Sequence, residues 1–103
     1  MTNVFTDLGF STIAISLLKH FEGFENKAYP DPATGAEPWI IGYGRTKNVS
    51  PGDTTTESME EAYLLEEVLR IHNKLSAQIP VYSILSPSRK AALISFAYNL
   101  GEG

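Results

Sequence analysis

The sequence lacks cysteine and is poor in histidine, in basic residues and in long apolar runs. Its 103 residues include no Cys and only two histidines, His20 and His72. Without thiols there is no disulfide framework and no thiolate zinc site, and two isolated histidines do not supply a histidine metal cluster. We therefore predict no metal and no cofactor, so any catalysis must rely on carboxyl and hydroxyl groups.

The low number of basic residues and the lack of long apolar segments also limit the kinds of partner that we expect. Eight Lys and Arg face twelve Asp and Glu, for a net charge of −4, and surfaces that bind phosphate backbones carry a basic excess instead. The longest apolar stretch, Ile13 to Leu18, is interrupted by Ser16 and has no preceding Lys or Arg. We therefore expect no nucleic-acid binding, no membrane insertion and no targeting signal. We therefore expect the protein to be made in the cytoplasm. If its substrate lies outside the membrane, another protein must release it.

The length fits a single domain, and the pattern of its first half predicts a helix followed by a small hairpin or meander. We expect the helix to begin with Ser11 as its N-cap and to end before Gly23. Its apolar residues recur at helical spacing: Ala14, Leu17, Leu18 and Phe21. Segments 24–29 and 39–43 flank a stretch rich in Pro and Gly and predict two short strands.

The second half predicts two amphipathic helices. The longer one begins near Thr56 or Ser58, where Ser58 and Glu61 have the spacing of a capping box, and Pro80 ends it. Its apolar stripe consists of Leu64, Val68, Ile71, Leu75 and Ile79, widened by Leu65, Leu69 and His72. We expect its acidic residues to form a solvated face: Glu57, Glu60, Glu61, Glu66 and Glu67.

The last helix has clear start and stop signals. Ser86 is its expected N-cap, with Pro87 in the first turn and Gly101 at its end. The residues expected to face inward are Ala92, Leu93, Phe96 and Leu100. His72 of the preceding helix is expected to be an interhelical residue with a partner.

Two carboxyl groups carry the candidate chemistry. Glu22 ends the first helix, where the unpaired carbonyls and the negative end of the macrodipole disfavour a charged carboxylate. Shielding by Phe21, Phe24 or Trp39 would raise its pKa further. Asp31 lies in a turn between two prolines, a polar position that keeps an aspartate ionised. One protonated and one ionised carboxyl suit glycoside hydrolysis, although each residue alone is also typical of a solvated helix end or a turn.

Several segments resemble the phage-type lysozymes of glycoside hydrolase family 24. They are the stretches Leu17 to Phe24, Ala28 to Trp39, Ile41 to Gly44, Val49 to Asp53, Pro80 to Tyr82 and Ala91 to Gly101. The family's site has a Glu, then eight residues, then an Asp or sometimes a Cys, and Glu22 and Asp31 match this spacing. The resemblance implies an α+β lysozyme-like fold with a small β-sheet attached to a long interlobe helix. It divides the domain into a catalytic lobe at 1–55, the interlobe helix at 56–80 and the start of a C-terminal lobe at 81–103.

The same resemblance implies the reaction. Glu22 would protonate the glycosidic oxygen between N-acetylmuramic acid and N-acetylglucosamine of peptidoglycan glycan strands. Asp31 would activate a water on the opposite face of the sugar, so that hydrolysis inverts the anomeric carbon. Trp39 and Tyr43 either stack on sugar rings or belong to the core.

The chain departs from the family pattern in two positions of the site and in length. The family has Thr directly after the tryptophan, where this chain has Ile40, which cannot hydrogen-bond a water. Thr34 and Thr46 are nearby hydroxyls that no motif places in that role. Arg45 stands where the family often has His, and it keeps donors there.

Family members also continue with further helices, so we expect exposed apolar faces that bury by self-association or against a partner chain. These departures leave a second function open. The alternative to a muramidase is a non-catalytic phage structural or wall-binding protein with the same fold.

Overall fold

The computed structural model describes the backbone of residues 4–102 and the side chains of residues 9–101. Its helices and strands follow in the order α1 Val4–Glu22, β1 Glu25–Pro30, β2 Trp39–Gly42, α2 Glu57–Gln78 and α3 Pro87–Ala97. A 3-10 helix at Tyr82–Ile84 links α2 to α3, and a π-helical turn, Tyr98–Glu102, follows α3. The α+β prediction is thus confirmed. The division at 55/56 and 80/81 stays a prediction, and residues 1–3 and 103, which it includes, lie outside the described part.

Helix α1 begins at least two turns before the predicted start. Ser11 is not its N-cap, because it lies inside the helix with its side chain buried. Phe10, Ala14 and Leu18 recur every four residues and are all buried, so the apolar stripe continues past Ser11 towards the N-terminus. The Phe10 ring stacks on the imidazole of His72, with 4.0 Å between ring centroids. This contact with α2 stabilises the helical turn that the sequence interpretation omitted.

Of the two predicted alternatives the structure has the hairpin, whose strands pair antiparallel. Tyr29 lies opposite Ile40, and Pro30 lies opposite Trp39. On its other side, β1 is bonded to the segment before α2, because the Ala28 N–H donates to the Asp53 carbonyl at 2.9 Å. The hairpin is therefore tied to the beginning of α2, which fixes its position beside the helices.

Helix α2 begins at the first of its two predicted starts. The Thr56 hydroxyl accepts a hydrogen bond from the Met59 N–H at 3.3 Å, so Thr56 is the N-cap. The capping box of Ser58 with Glu61 is wrong, because Ser58 lies inside the first turn and Glu61 pairs with Lys19 of α1. The centre of the predicted stripe is buried as expected: Leu64, Val68 and Ile71.

Helix α3 has the predicted cap but presents a different face to the core. The Ser86 hydroxyl accepts from the Arg89 N–H, and Pro87 opens the helix. The buried residues are Ala91, Ile94, Ser95, Ala97 and Tyr98, whereas the predicted inward residues Ala92, Leu93, Phe96 and Leu100 are exposed. Both sets have helical spacing, and α1 packs against the set that contains Ala91 and Ile94. Periodicity alone did not indicate which stripe meets a neighbour.

His72 is the interhelical residue that the sequence predicted. Its Nδ1 lies 2.8 Å from the hydroxyl of Tyr82, a fully buried side chain. Burial, reinforced by the charge of Lys90, lowers the pKa of His72, and burial raises the pKa of Tyr82 to about 12. Both shifts favour the neutral forms of the two groups, as suits a core pair. Within the described residues, no helix is long and apolar enough to cross a membrane.

Candidate active site

Glu22 stands at the end of α1, beside the turn that follows β2. Gly23 continues the chain with φ of +68°, a conformation that favours glycine. The Glu22 carboxylate lies against Gly44, where an added Cβ would stand 2.9 Å from Oε2 and where φ is +85°. Although the residue as a whole is exposed, burial of its carboxyl raises the pKa of Glu22. The direction agrees with the sequence prediction and favours a carboxyl that keeps its proton closer to neutral pH.

A cavity of about 310 Å³ opens at Glu22. It is lined by residues from four parts of the chain: Glu22, Gly44, Thr46, Lys47, Tyr63, Tyr98, Asn99 and Gly101. None of the three aromatic residues named as possible shields, Phe21, Phe24 and Trp39, lines this cavity. Tyr63 and Tyr98 supply the aromatic wall instead, and the Tyr98 hydroxyl donates to the Tyr43 carbonyl at 3.0 Å. The carboxyl therefore faces a cavity whose other groups are largely polar.

Asp31 is held in a tight turn directly after β1. Its Oδ1 accepts from the Ala33 N–H at 2.8 Å, and its carbonyl accepts from the Gly35 N–H at 2.7 Å. The Asp31 N–H in turn donates to the Ala36 carbonyl at 3.0 Å. These bonds fix the carboxylate on the loop and leave Oδ2 without a hydrogen bond to any described residue. Asp31 does not line the cavity at Glu22.

The charges of both carboxyl groups act on Tyr29. After burial, which has the largest effect, the charges of Glu25, Glu22 and Asp31 raise the pKa of Tyr29. Its phenol therefore lies in the field of both candidate catalytic carboxylates. Tyr29 and Asp31 are two residues apart, and Ile40 is paired with Tyr29 across the hairpin. The side chains of Tyr29 and Ile40 therefore share one face of the hairpin, and Asp31 follows directly after the strand.

The remaining candidate site residues go to three different places. Ile40 is half-buried opposite Tyr29 and lines neither of the two cavities described here. Trp39 points to the other face of the hairpin and lines a second cavity of about 520 Å³. Tyr43 is 5% exposed and packs against Phe24, with ring centroids 5.2 Å apart. For Tyr43 the structure thus selects the core alternative.

Arg45 is bound by a buried carboxylate that the sequence interpretation placed in solvent. Its Nε and Nη2 donate to the two oxygens of Glu60, each at 2.9 Å, and Glu60 is 2% exposed. The Thr55 hydroxyl donates to the same carboxylate at 2.6 Å. Burial alone would raise the pKa of Glu60, but the hydrogen bonds from Arg45 and Thr55 and the Arg45 charge lower it. Arg45 also donates to the Lys47 carbonyl at 2.9 Å, which fixes the turn that lines the cavity.

Sequence reasoning missed the burial of Glu60 and the position of five cavity residues, Lys47, Tyr63, Tyr98, Asn99 and Gly101, although part of the signal was present. Glu60 precedes Leu64 by four residues and so continues the buried stripe of α2. Tyr63, Tyr98, Asn99 and Gly101 reach the cavity only because α2 and the turn after α3 converge on the end of α1. No group of three or more metal-ligating side chains is present in the described part of the chain.

The known proteins that are similar to this chain all point to one family. The sequence profile named Phage lysozyme matches residues 19–103. The endolysin of Acyrthosiphon pisum secondary endosymbiont phage 1 is 35% identical over 85 residues, which cover 82% of this chain and 55% of that protein. The endolysin of Bacillus phage PZA is 34% identical over 94 residues, which cover 90% of this chain and 35% of that protein. The chain thus spans about half the length, or less, of these two relatives.

A solved structure supports the same assignment. The muramidase domain of SpmX from Asticaccaulis excentricus superposes with a TM-score of 0.71 at 30% identity. The match covers 86% of this chain and 57% of that domain's chain, so the helices and the hairpin described above have a lysozyme-like arrangement. With the profile matching most of the sequence, the chain belongs to the phage lysozyme family.

Proposed function

We propose that the chain hydrolyses peptidoglycan at the β-1,4 bond between N-acetylmuramic acid and N-acetylglucosamine, with inversion of the anomeric carbon. The observation that carries the proposal is the position of Glu22, whose carboxyl has a raised pKa and faces a polar cavity at the end of a helix. The names of similar proteins, endolysins and a muramidase domain, support a peptidoglycan-hydrolysing role.

The roles of the two carboxyl groups follow from their surroundings. Glu22 is the general acid, because burial favours its protonated form and a proton is what the leaving glycosidic oxygen needs. Asp31 is the base, because one of its oxygens is fixed by the Ala33 N–H and the other is available to a water. No metal or cofactor takes part in this scheme, which uses only carboxyl groups of the chain.

The proposal is tested by measuring the release of reducing ends from purified peptidoglycan. We expect Glu22→Gln and Asp31→Asn each to lower the rate by at least about a hundredfold, the scale of general acid or base catalysis. Glu66→Gln, an exposed carboxyl on α2, is the matched control and should leave the rate unchanged. Equal rates for Glu22→Gln and the control would exclude Glu22 as the acid. NMR of the first-formed anomer tests inversion.

Ile40 favours a second candidate, a non-catalytic protein that binds the cell wall. Ile40 is paired with Tyr29, two residues before Asp31, and its side chain has no hydroxyl with which to hold an attacking water. A chain that sediments with purified peptidoglycan but releases no reducing ends would support this alternative. The same assay therefore separates the two functions.

Partner and location are further parts of the proposal. Large apolar side chains remain exposed on the helices, namely Phe21, Phe96 and Leu100, each more than 60% accessible. We propose that they are covered by self-association or by a partner chain, which sedimentation velocity tests. For a wall substrate we also propose synthesis in the host cytoplasm and release by another protein, which fractionation with and without a membrane-permeabilising protein tests.

A further inference from the structure

The segment 42–47, which ends β2 and forms the turn after it, contacts two carboxyl groups that belong to different helices. An added Cβ at Gly42 would stand 2.3 Å from Oε1 of Glu60 on α2, and an added Cβ at Gly44 would stand 2.9 Å from Oε2 of Glu22 on α1. Both glycines have positive φ, +62° and +85°. The backbone of the segment is therefore in close contact with the buried Glu60 carboxylate at Gly42 and with the candidate acid at Gly44.

Arg45 connects Glu60 to the backbone of this segment. Its Nε and Nη2 donate to the two Glu60 oxygens at 2.9 Å, and its Nη1 donates to the Lys47 carbonyl, also at 2.9 Å. The backbone of Arg45 exchanges two hydrogen bonds with Ile41, each at 2.9 Å. All three guanidinium nitrogens are therefore used, and the segment cannot shift relative to α2 without breaking these hydrogen bonds.

The same segment forms one wall of the cavity at Glu22. Three of its residues line that cavity: Gly44, Thr46 and Lys47. The Arg45 guanidinium also lies over the ring of Tyr63 on α2, 5.5 Å from the ring centroid, and Tyr63 lines the cavity as well. Arg45 and Glu60 do not line the cavity themselves. Their ion pair therefore lies directly behind two walls of the candidate site.

Two effects that Arg45 can have on the acid differ in sign. Burial raises the pKa of Glu22, whereas a cation close to a carboxyl lowers its pKa. Loss of the wall would therefore lower the pKa of Glu22, and loss of the Arg45 charge alone would leave it unchanged or raise it. The titratable groups that surround the acid are Lys47 on the segment, Tyr29 on β1, Tyr63 on α2 and Tyr98 after α3.

We propose that Arg45 and Glu60 are positioning residues for the general acid. Their bidentate ion pair, together with the Arg45 bond to the Lys47 carbonyl, holds the segment 42–47 against the Glu22 carboxyl, which keeps part of the carboxyl out of water and fixes its place at the cavity. Neither residue touches the substrate. The proposal rests on the proposed role of Glu22 as the acid.

The double variant Arg45→Met/Glu60→Met removes the ion pair without leaving a stranded charge and without changing the net charge. Replacement of a buried ion pair by apolar residues of similar size often leaves stability intact, so this variant separates positioning from stability. The matched control is Arg70→Met/Glu67→Met, which removes a pair on α2 whose arginine is 44% exposed. Urea unfolding followed by circular dichroism checks that both variants are folded.

Carboxyl-carbon NMR measures the pKa of Glu22 in the full chain without any substrate. We expect the pKa of Glu22 in Arg45→Met/Glu60→Met to lie below that of the parent, because a displaced segment lets water reach the carboxyl. The control variant should keep the parent's value. A folded double variant in which Glu22 has the parent's pKa, or a higher one, would overturn the proposal.

Arg45→Lys is the second variant, which decides the question if the double variant does not fold. Lys keeps the charge but lacks the planar fork that bonds both Glu60 oxygens and the Lys47 carbonyl together. A lower pKa of Glu22 in Arg45→Lys than in the parent would support positioning by this fork. An unchanged pKa would mean that a cation alone is enough, which contradicts the proposal.

Hydrolysis of solubilised glycan strands is measured over a range of pH on the same preparations. We expect kcat of the double variant to fall about ten- to a hundredfold with KM unchanged, the scale of a displaced catalytic group. Its activity should also decline at a lower pH on the alkaline side than that of the parent, because the acid loses its proton earlier.

The positioning role and the proposed function fail separately. A parent that does not hydrolyse the strands would contradict the proposed function, while the NMR titration would still decide whether the ion pair controls the surroundings of Glu22. Hydrolysis by the parent, with kcat unchanged in the folded double variant, would overturn the positioning role alone.

Discussion

Replacement of Arg45 by Met tests the buried ion pair that fixes the wall of the candidate site. Arg45→Met removes both guanidinium hydrogen bonds to Glu60 and leaves a carboxylate that is 2% exposed with only the Thr55 hydroxyl as partner. Loss of one member of a buried pair costs about 3–5 kcal/mol. A domain of this size has a free energy of unfolding of about 5–15 kcal/mol. We therefore expect Arg45→Met to lose a large part of its stability at pH 7.

The loss should depend on pH in a defined direction. In the parent, the pKa of Glu60 is lower in the folded chain than the unfolded value of about 4.3. The stability that ionised Glu60 contributes is therefore fully present above about pH 4.3 and is lost as the pH falls through the pKa that Glu60 has in the folded chain. In Arg45→Met the pair is gone and burial raises the pKa of Glu60, so the variant gains stability as pH falls from 7 towards 5. The difference between the unfolding free energies of parent and variant should therefore decrease from pH 7 to pH 5.

Urea unfolding followed by far-UV circular dichroism at pH 7 and pH 5 measures both effects. Arg70→Met is the control, because Arg70 is 44% exposed in its pair with Glu67 and should lose less than about 1 kcal/mol. The double variant Arg45→Met/Glu60→Met removes the stranded charge and should recover most of the loss. A loss below about 1 kcal/mol for Arg45→Met at pH 7, or an equal loss at both pH values, would refute the reasoning.

Three further predictions concern the site and its support. Gly42→Ala should lower the free energy of unfolding in urea by about 2–5 kcal/mol, because φ is +62° and a Cβ would stand 2.3 Å from Oε1 of Glu60. The control Gly52→Ala, where φ is +89° and the space is open, should lower it by about 1–2 kcal/mol. Equal losses for the two variants would contradict the clash with Glu60. Carboxyl-carbon NMR should give Glu22 a pKa above about 4.3, and a midpoint at or below that of free Glu would remove the acid. Ile40→Thr should raise hydrolysis by about one to three orders of magnitude, and a folded variant no faster than the parent would show that the missing hydroxyl is not limiting.

Local patterns in the sequence were enough to predict most helices and strands and the candidate catalytic residues. Ser86 followed by Pro87 defined the start of α3, and the Pro- and Gly-rich stretch before Trp39 separated the two strands. Glu22 was singled out because it ends a helix, and burial of its carboxyl does raise its pKa. Each of these features depends on neighbours within a few residues, so the sequence contains the information needed to predict it.

Only the tertiary structure decided which faces are covered and which charges are buried. Glu60 is buried because Arg45, fifteen residues away, reaches it from the turn after β2. On α3, α1 packs against the stripe through Ile94 and leaves Phe96 in solvent, although both stripes are apolar. A helical period establishes which side chains share a face, but burial is determined by what packs against that face. The partner comes from a distant part of the chain, whose position depends on the packing of the whole domain.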